Sequence, residues 1–140
     1  MGPPRRLTGP VPVVELVVEP WLLSVCRLGA DAPWPVPAAG PPVHSVTRTP
    51  DELSVVCAEG HEPTGARVEP GWRALRIVGP LAFDLVGIVA SVSVPLAEAA
   101  IGVFVLSTFD TDLVLVHGVD LDAAVAALEA AGHTVTAVAT

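Results

Sequence analysis

The chain has no lysine. Its basic side chains are seven arginines against fifteen Asp and Glu, a formal net charge of −8. Without lysine there is neither the amine that reaches nucleotide phosphates in a Walker loop nor a Schiff-base nucleophile. A nucleic-acid partner needs a basic surface to track phosphates, and the acidic balance excludes one. Cysteine is scarce too. Cys26 and Cys57 stand far apart and outside any C-x-x-C pair, so reduced, packed thiols are expected. Long apolar runs are also missing. Mean hydropathy is +0.62, yet the longest apolar stretch is 85–97, which contains Ser91, Ser93 and Pro95. That falls short of the roughly 20 residues a spanning helix needs, so no membrane is implied. Arg5 and Arg6 lead into Leu7-Thr8-Gly9-Pro10-Val11-Pro12, not an apolar signal core. The expected compartment is the cytoplasm.

Catalytic signatures are equally thin. There is no G-x-S-x-G elbow, no G-x-G-x-x-G and no Walker pattern. His44, His61, His117 and His133 are scattered, with no pair at metal-ligand spacing. The reading is a protein without catalytic residues, metal or cofactor.

What the chain has in quantity is proline, fifteen in all. Pro3, Pro4, Pro10 and Pro12 mark 1–12 as a flexible N-terminus. Pro33, Pro35, Pro37, Pro41 and Pro42 define a loop, because proline fixes φ and lacks an N–H. A third break covers 59–71. Between these breaks lie strands at 21–28, 43–49 and 53–58, the last two joined by the turn Thr49-Pro50-Asp51-Glu52. Trp21 and Trp72 are expected to pack, and Trp34, in the proline loop, to cover a neighbour.

The second half is more regular. A strand at 72–79 precedes a helix at 85–99 that Asp84 is placed to cap. Ile88, Val89, Val92 and Leu96 recur at helical spacing. Pro95 lies inside it and frees the Ser91 carbonyl. Strands at 102–108 and 112–117 flank an acidic turn. Asp120 is placed to cap a helix at 121–131, Gly132 closes it, and a strand follows at 133–139. The order βαββαβ is a ferredoxin-like α+β module with two helices on one face of a four-stranded antiparallel sheet. Segment 46–56 also repeats 106–116, sixty positions on: strand, hydroxyl-rich end, acidic turn, strand. The expected organisation is a first, shorter unit at 13–70 packed against a second at 71–140.

Particular segments resemble a known family. Gly79-Pro80-Leu81-Ala82-Phe83-Asp84-Leu85-Val86-Gly87-Ile88-Val89-Ala90, Pro95-Leu96-Ala97-Glu98-Ala99 and Leu106-Ser107-Thr108-Phe109-Asp110-Thr111-Asp112-Leu113-Val114-Leu115-Val116 look like an ACT domain. Thr47-Arg48-Thr49-Pro50-Asp51-Glu52-Leu53-Ser54-Val55-Val56 is similar to the first unit of small bacterial tandem-ACT proteins. These are related to the aspartokinase regulatory domain and to CASTOR-type arginine sensors. The resemblance implies two ACT-like units, the first degenerate, that bind an amino acid and do not transform it. It also implies a homodimer, with binding reported through a protein partner or through self-association.

It places the ligand where the first helix of the second unit begins. The residues there suit the role independently. A helix starting at Leu85, Val86, Gly87 and Ile88 presents unpaired backbone amides and positive dipole charge to a carboxylate. Gly87 lets a ligand approach closely. Asp112 can accept from an ammonium group. Thr108 offers a hydroxyl, and Phe109 an apolar wall or a face for a cation. The arginine sensors carry an acid after the position of Asp84, where this chain has Leu85, so a neutral or apolar amino acid is expected. The competing reading is a structural or interaction module that has lost its ligand.

Overall fold

A computed structural model describes residues 12–36, 42–79 and 86–138. Eight strands and two helices occur in the order β1 Glu15–Val18, β2 Leu23–Leu28, β3 Ser45–Arg48, β4 Leu53–Ala58, β5 Arg67–Ile77, α1 Ile88–Glu98, β6 Phe104–Ser107, β7 Asp112–His117, α2 Leu121–Ala130 and β8 Thr134–Ala137. A 3₁₀ turn, Gly118–Asp120, leads into α2.

The organising element is β5. It was expected to begin only at Trp72, because Pro70 and Gly71 read as a break. Instead the strand runs through them, with a register irregularity between its pairings to Leu23 and Val25 of β2. Gly71 takes φ 84°, a conformation that costs glycine little, and its N–H is satisfied by the Glu59 carboxylate at 2.7 Å. The bulge thus keeps an 11-residue strand continuous.

β5 is long enough to pair with two strands on one edge. Its first half pairs with β2 and its second half with β1, both antiparallel. β7 pairs antiparallel with the opposite edge over 72–76. Outside β2 lie β4 and then β3, outside β7 lies β6, and β8 pairs parallel with β1.

This corrects the expected four-stranded antiparallel sheet. Around the helices the order is β8-β1-β5-β7-β6. β1 occupies the place beside β5 that β8 takes in a plain βαββαβ module, and pushes β8 outward into a parallel pair. The α+β class stands, but the sheet is mixed.

Alternation along the strands divides the core. Leu16, Val18, Leu75, Ile77, Val114 and Val116 meet Ile88, Val92 and Leu96 of α1 and Ala124 and Leu128 of α2. The opposite face buries Ala74, Leu113 and Leu115 against Leu23 and Val56, with Trp21, Trp72, Phe104 and Leu106 at its margin. Cys26 and Cys57 are free thiols packed with Leu53 and Val55 in a third cluster.

The helix ends differ from the sequence reading in instructive ways. α1 starts at Ile88 rather than at 85, because Gly87 adopts φ 86°, outside helical space, and is the N-cap. Leu85 and Asp84 lie outside the described residues. Asp120 precedes α2 but makes no side-chain capping bond; the 3₁₀ turn holds it at φ −97°, ψ −2° instead of the extended backbone a cap needs. Gly132 does close α2. His133 N–H bonds Leu128 C=O at 3.1 Å and Gly132 N–H bonds Glu129 C=O at 3.0 Å, a Schellman closure. Ala100 plays the same part after α1, at φ 60°.

Pro95 leaves the Ser91 carbonyl without its helical donor, as expected. The ring of buried His133 supplies one: Nε2 lies 2.7 Å from Ser91 O. Nδ1 accepts the Val14 N–H at 3.1 Å. Since Nδ1 accepts, the proton sits on Nε2, and one neutral imidazole ties α1 to the chain leading into β1.

Candidate functional site

The β6–β7 turn brings Thr108, Phe109 and Asp112 together. Thr108 N–H bonds Thr111 C=O at 2.8 Å, and the Thr108 hydroxyl pairs with both backbone groups of Thr111. Asp112 opens β7 opposite Ser107. The Ser107 hydroxyl donates to Asp112 Oδ1 at 2.6 Å, leaving the carboxylate partly occupied. Phe109 is 80% exposed.

The turn sits over the C-terminal end of β5, where the Thr111 hydroxyl donates to the Ile77 carbonyl at 2.5 Å. The chain leaves β5 there and returns as α1, whose first residue, Ile88, shares a core cluster with Ile77. Val86, Gly87 and Ile88 therefore stand at the same end of the sheet as the turn. Val86 is exposed, Gly87 half-buried and Ile88 buried. Ser91 N–H to Gly87 C=O, at 2.8 Å, is the first helical bond, and among the described residues no side chain caps the helix. The amides that precede the first helical bond are consequently those of Ile88, Val89 and Ala90, two to three residues later than the set expected from 85 onward.

Sequence reasoning passed over Ser107 and Thr111 as site residues. Their signal was present: a serine cross-strand from Asp112, and a threonine one residue before it.

The same turn occurs in the first half. Thr49 N–H bonds Glu52 C=O at 2.9 Å, and its hydroxyl accepts from the amides of Asp51 and Glu52. Thr108 corresponds to Thr49, and the pair Ser107/Asp112 to Arg48/Leu53. The repeat is thus one position shorter than the sixty read from residue types. The slip matters, because strand side chains change face at every residue. In the first hairpin the place of Asp112 is taken by Leu53, which is fully buried.

Among the described residues no group of three His, Cys, Asp or Glu side chains is placed to hold a metal ion, and no helix is long and apolar enough to cross a membrane. Burial pushes the Cys26 thiol up to about 12, helped by Cys57 beside it, and raises Cys57 as well. Neither thiol is suited to nucleophilic work. Glu62 is held below the usual carboxylate range, first by its own backbone amide and then by the Ser24 hydroxyl and the Gly60 amide.

With this geometry in place, the comparisons with known proteins are direct. A family model described as ACT domain matches residues 67–130, and a model for an N-terminal domain matches 23–64. Protein Atu0741 from Agrobacterium tumefaciens is 41% identical over 92% of this chain and 96% of its own, with a TM-score of 0.84. The chain belongs to the ACT-domain proteins. Two more distant likenesses show the fold alone. The regulatory subunit of aspartate kinase from Thermus thermophilus is 13% identical, with a TM-score of 0.59 over 86% of this chain and 99% of that one. VC0802 from Vibrio cholerae is 17% identical, with a TM-score of 0.64 over 84% and 89%. ACT domains generally bind small molecules such as amino acids.

Proposed function

We propose that this protein is a regulatory sensor that binds an amino acid and has no catalytic activity of its own. It comprises two ACT-like units of which the first is degenerate, and it works as a homodimer in the cytoplasm. The observation that carries the reading is the start of α1 at Gly87, which no side chain caps among the described residues, at the sheet end that also carries Asp112. The amides of Ile88, Val89 and Ala90 receive the ligand carboxylate, and Gly87 admits it to the backbone. Asp112 receives the ammonium group, with Thr108 and Phe109 beside it. Leu85, Val86 and Phe109 suit a neutral or apolar side chain. Leu53 in the place of Asp112 deprives the first hairpin of a carboxylate, which favours one site per chain. Ligand contacts that differ between two packings of the units shift their populations, and a protein partner reads the shift.

A thermal-shift screen of the full chain with the twenty amino acids tests this. A ligand at a hundred times its Kd adds about 2.7 kcal/mol. Asp112→Ala is expected to abolish the shift while moving unliganded stability by less than about 1 kcal/mol; Gly87→Val is expected to block binding by filling the space over the amides. The Ser107 bond to Asp112 favours the second reading, an interaction module that has lost its ligand. If no amino acid raises the melting temperature, that reading replaces the sensor.

A further inference from the structure

Two surface features lie outside that site except for Ala90, which borders both the site and the second feature. One is a loop. Trp34, between Pro33 and Pro35, is 58% exposed, unusual for a side chain with so much apolar area. It is not left loose. The Arg48 guanidinium bonds the carbonyls of Ala30 and Ala32 and lies 5.8 Å from the centroid of the Trp34 ring. Flanking prolines fix the backbone. Among the described residues Arg48 meets no carboxylate at salt-bridge distance.

The other is a pocket of about 300 Å³ beside the proline of α1, lined by Pro12, Ala90, Val94, Pro95, Ala131 and His133, with Ser91 between them. Its polar groups are already engaged. Both His133 ring nitrogens are used, the Ser91 carbonyl is bonded to one of them, and the Ser91 hydroxyl donates to Ile88 C=O at 2.7 Å. Such a pocket rewards an apolar guest, and its volume is at the small end of ligand sites, on the scale of one large side chain. Val94 at its edge is 51% exposed. Exposed Glu98 stands one helical turn beyond Val94, on the same face of α1. Among the described residues Glu98 meets no arginine at salt-bridge distance.

We propose that these features are complementary halves of one contact: Trp34 of one copy seats in the pocket beside Pro95 of a second copy, and Arg48 faces Glu98 across the rim. The inference rests on the homodimer reading above and names its surface. Size, apolarity and opposite charge match, and reciprocal exchange of the two contacts closes a pair. An aromatic side chain in a dry pocket beside an arginine is the composition of an interaction hot spot.

Sedimentation of the full chain over a concentration series at low and high salt tests it. Trp34→Ala and Val94→Glu are each expected to weaken the dimer by about tenfold or more without lowering the melting temperature at concentrations where the chains are monomeric, since both side chains are largely exposed. Mixing the two variants is expected to restore part of the association, because one of the two reciprocal contacts is then intact. Added salt is expected to weaken the dimer. A wild-type chain that stays monomeric up to about 1 mM overturns the homodimer reading and this contact together. A dimer that Trp34→Ala leaves equally tight overturns this contact alone, as does a mixture that fails to recover.

Discussion

A few residues carry conformations or environments out of proportion to their size. Ala100 takes φ 60° to close α1, a conformation that costs a residue with a Cβ roughly 1–2 kcal/mol. Ala100→Gly relieves that cost and gives part of it back as unfolded-chain entropy. The net expectation is a gain of up to about 1 kcal/mol, read from the denaturant midpoint at unchanged m. The thiols make a second case. Cys26 is raised from 9.0 to about 12 and Cys57 is raised too. The unfolded chain therefore loses these protons first, and stability falls as pH rises between about 9 and 12, by up to about 1.4 kcal/mol per pH unit for Cys26, with Cys57 acting in the same direction. The chain has neither lysine nor tyrosine, so few other groups titrate in that window. Urea melts from pH 8 to 11 are expected to show the decline, and Cys26→Ala is expected to flatten it. None of this was legible in the sequence beyond the thiols being packed: nothing in residue type marks Ala100 as left-handed, or brings Cys26 beside Cys57.

Elements were read well where the signal is local and poorly where it is not. Pro95 announces a freed Ser91 carbonyl, and Gly132 announces the end of α2. The histidine that answers Ser91 lies 42 residues away in sequence and reads as an isolated polar residue until the helices pack. Gly87 was singled out for access, yet its stronger effect is to delay α1 by a turn, since its φ belongs to no helix. At the candidate site Thr108, Phe109 and Asp112 were legible as a turn with an acid, while the Ser107 partner depends on cross-strand register. His133 deserves its own test at this scale. His133→Ala strands the Val14 N–H and the Ser91 carbonyl, each worth about 1–3 kcal/mol when buried and unpaired. The expected loss is about 2–4 kcal/mol, and His133→Gln, which offers one acceptor and one donor, is expected to recover part of it. Hydrogen exchange at Val14 reports whether the strap is what was lost.

At the scale of the molecule, the sequence delivered the α+β class and the strand-helix order of the second half but not the place of β1. Four residues before the first turn hold no information about whether β8 or β1 will lie beside β5; that choice is settled by Leu16 and Val18 burying against the helices. A fragment covering 67–140 keeps the βαββαβ order but lacks the strand between β5 and β8. It is expected to lose the cooperative melt of the full chain in circular dichroism, and a synthetic peptide of residues 12–20 is expected to restore it at sufficient concentration.

The interleaving of β1 also fixes an order of events in the cell. β1 leaves the ribosome before both its neighbours, and fits between one made about sixty residues later and another made more than a hundred residues later. Its apolar side chains complete their burial only after α2 and β8 have emerged. Closing the sheet therefore depends on distant pairings, which slow folding.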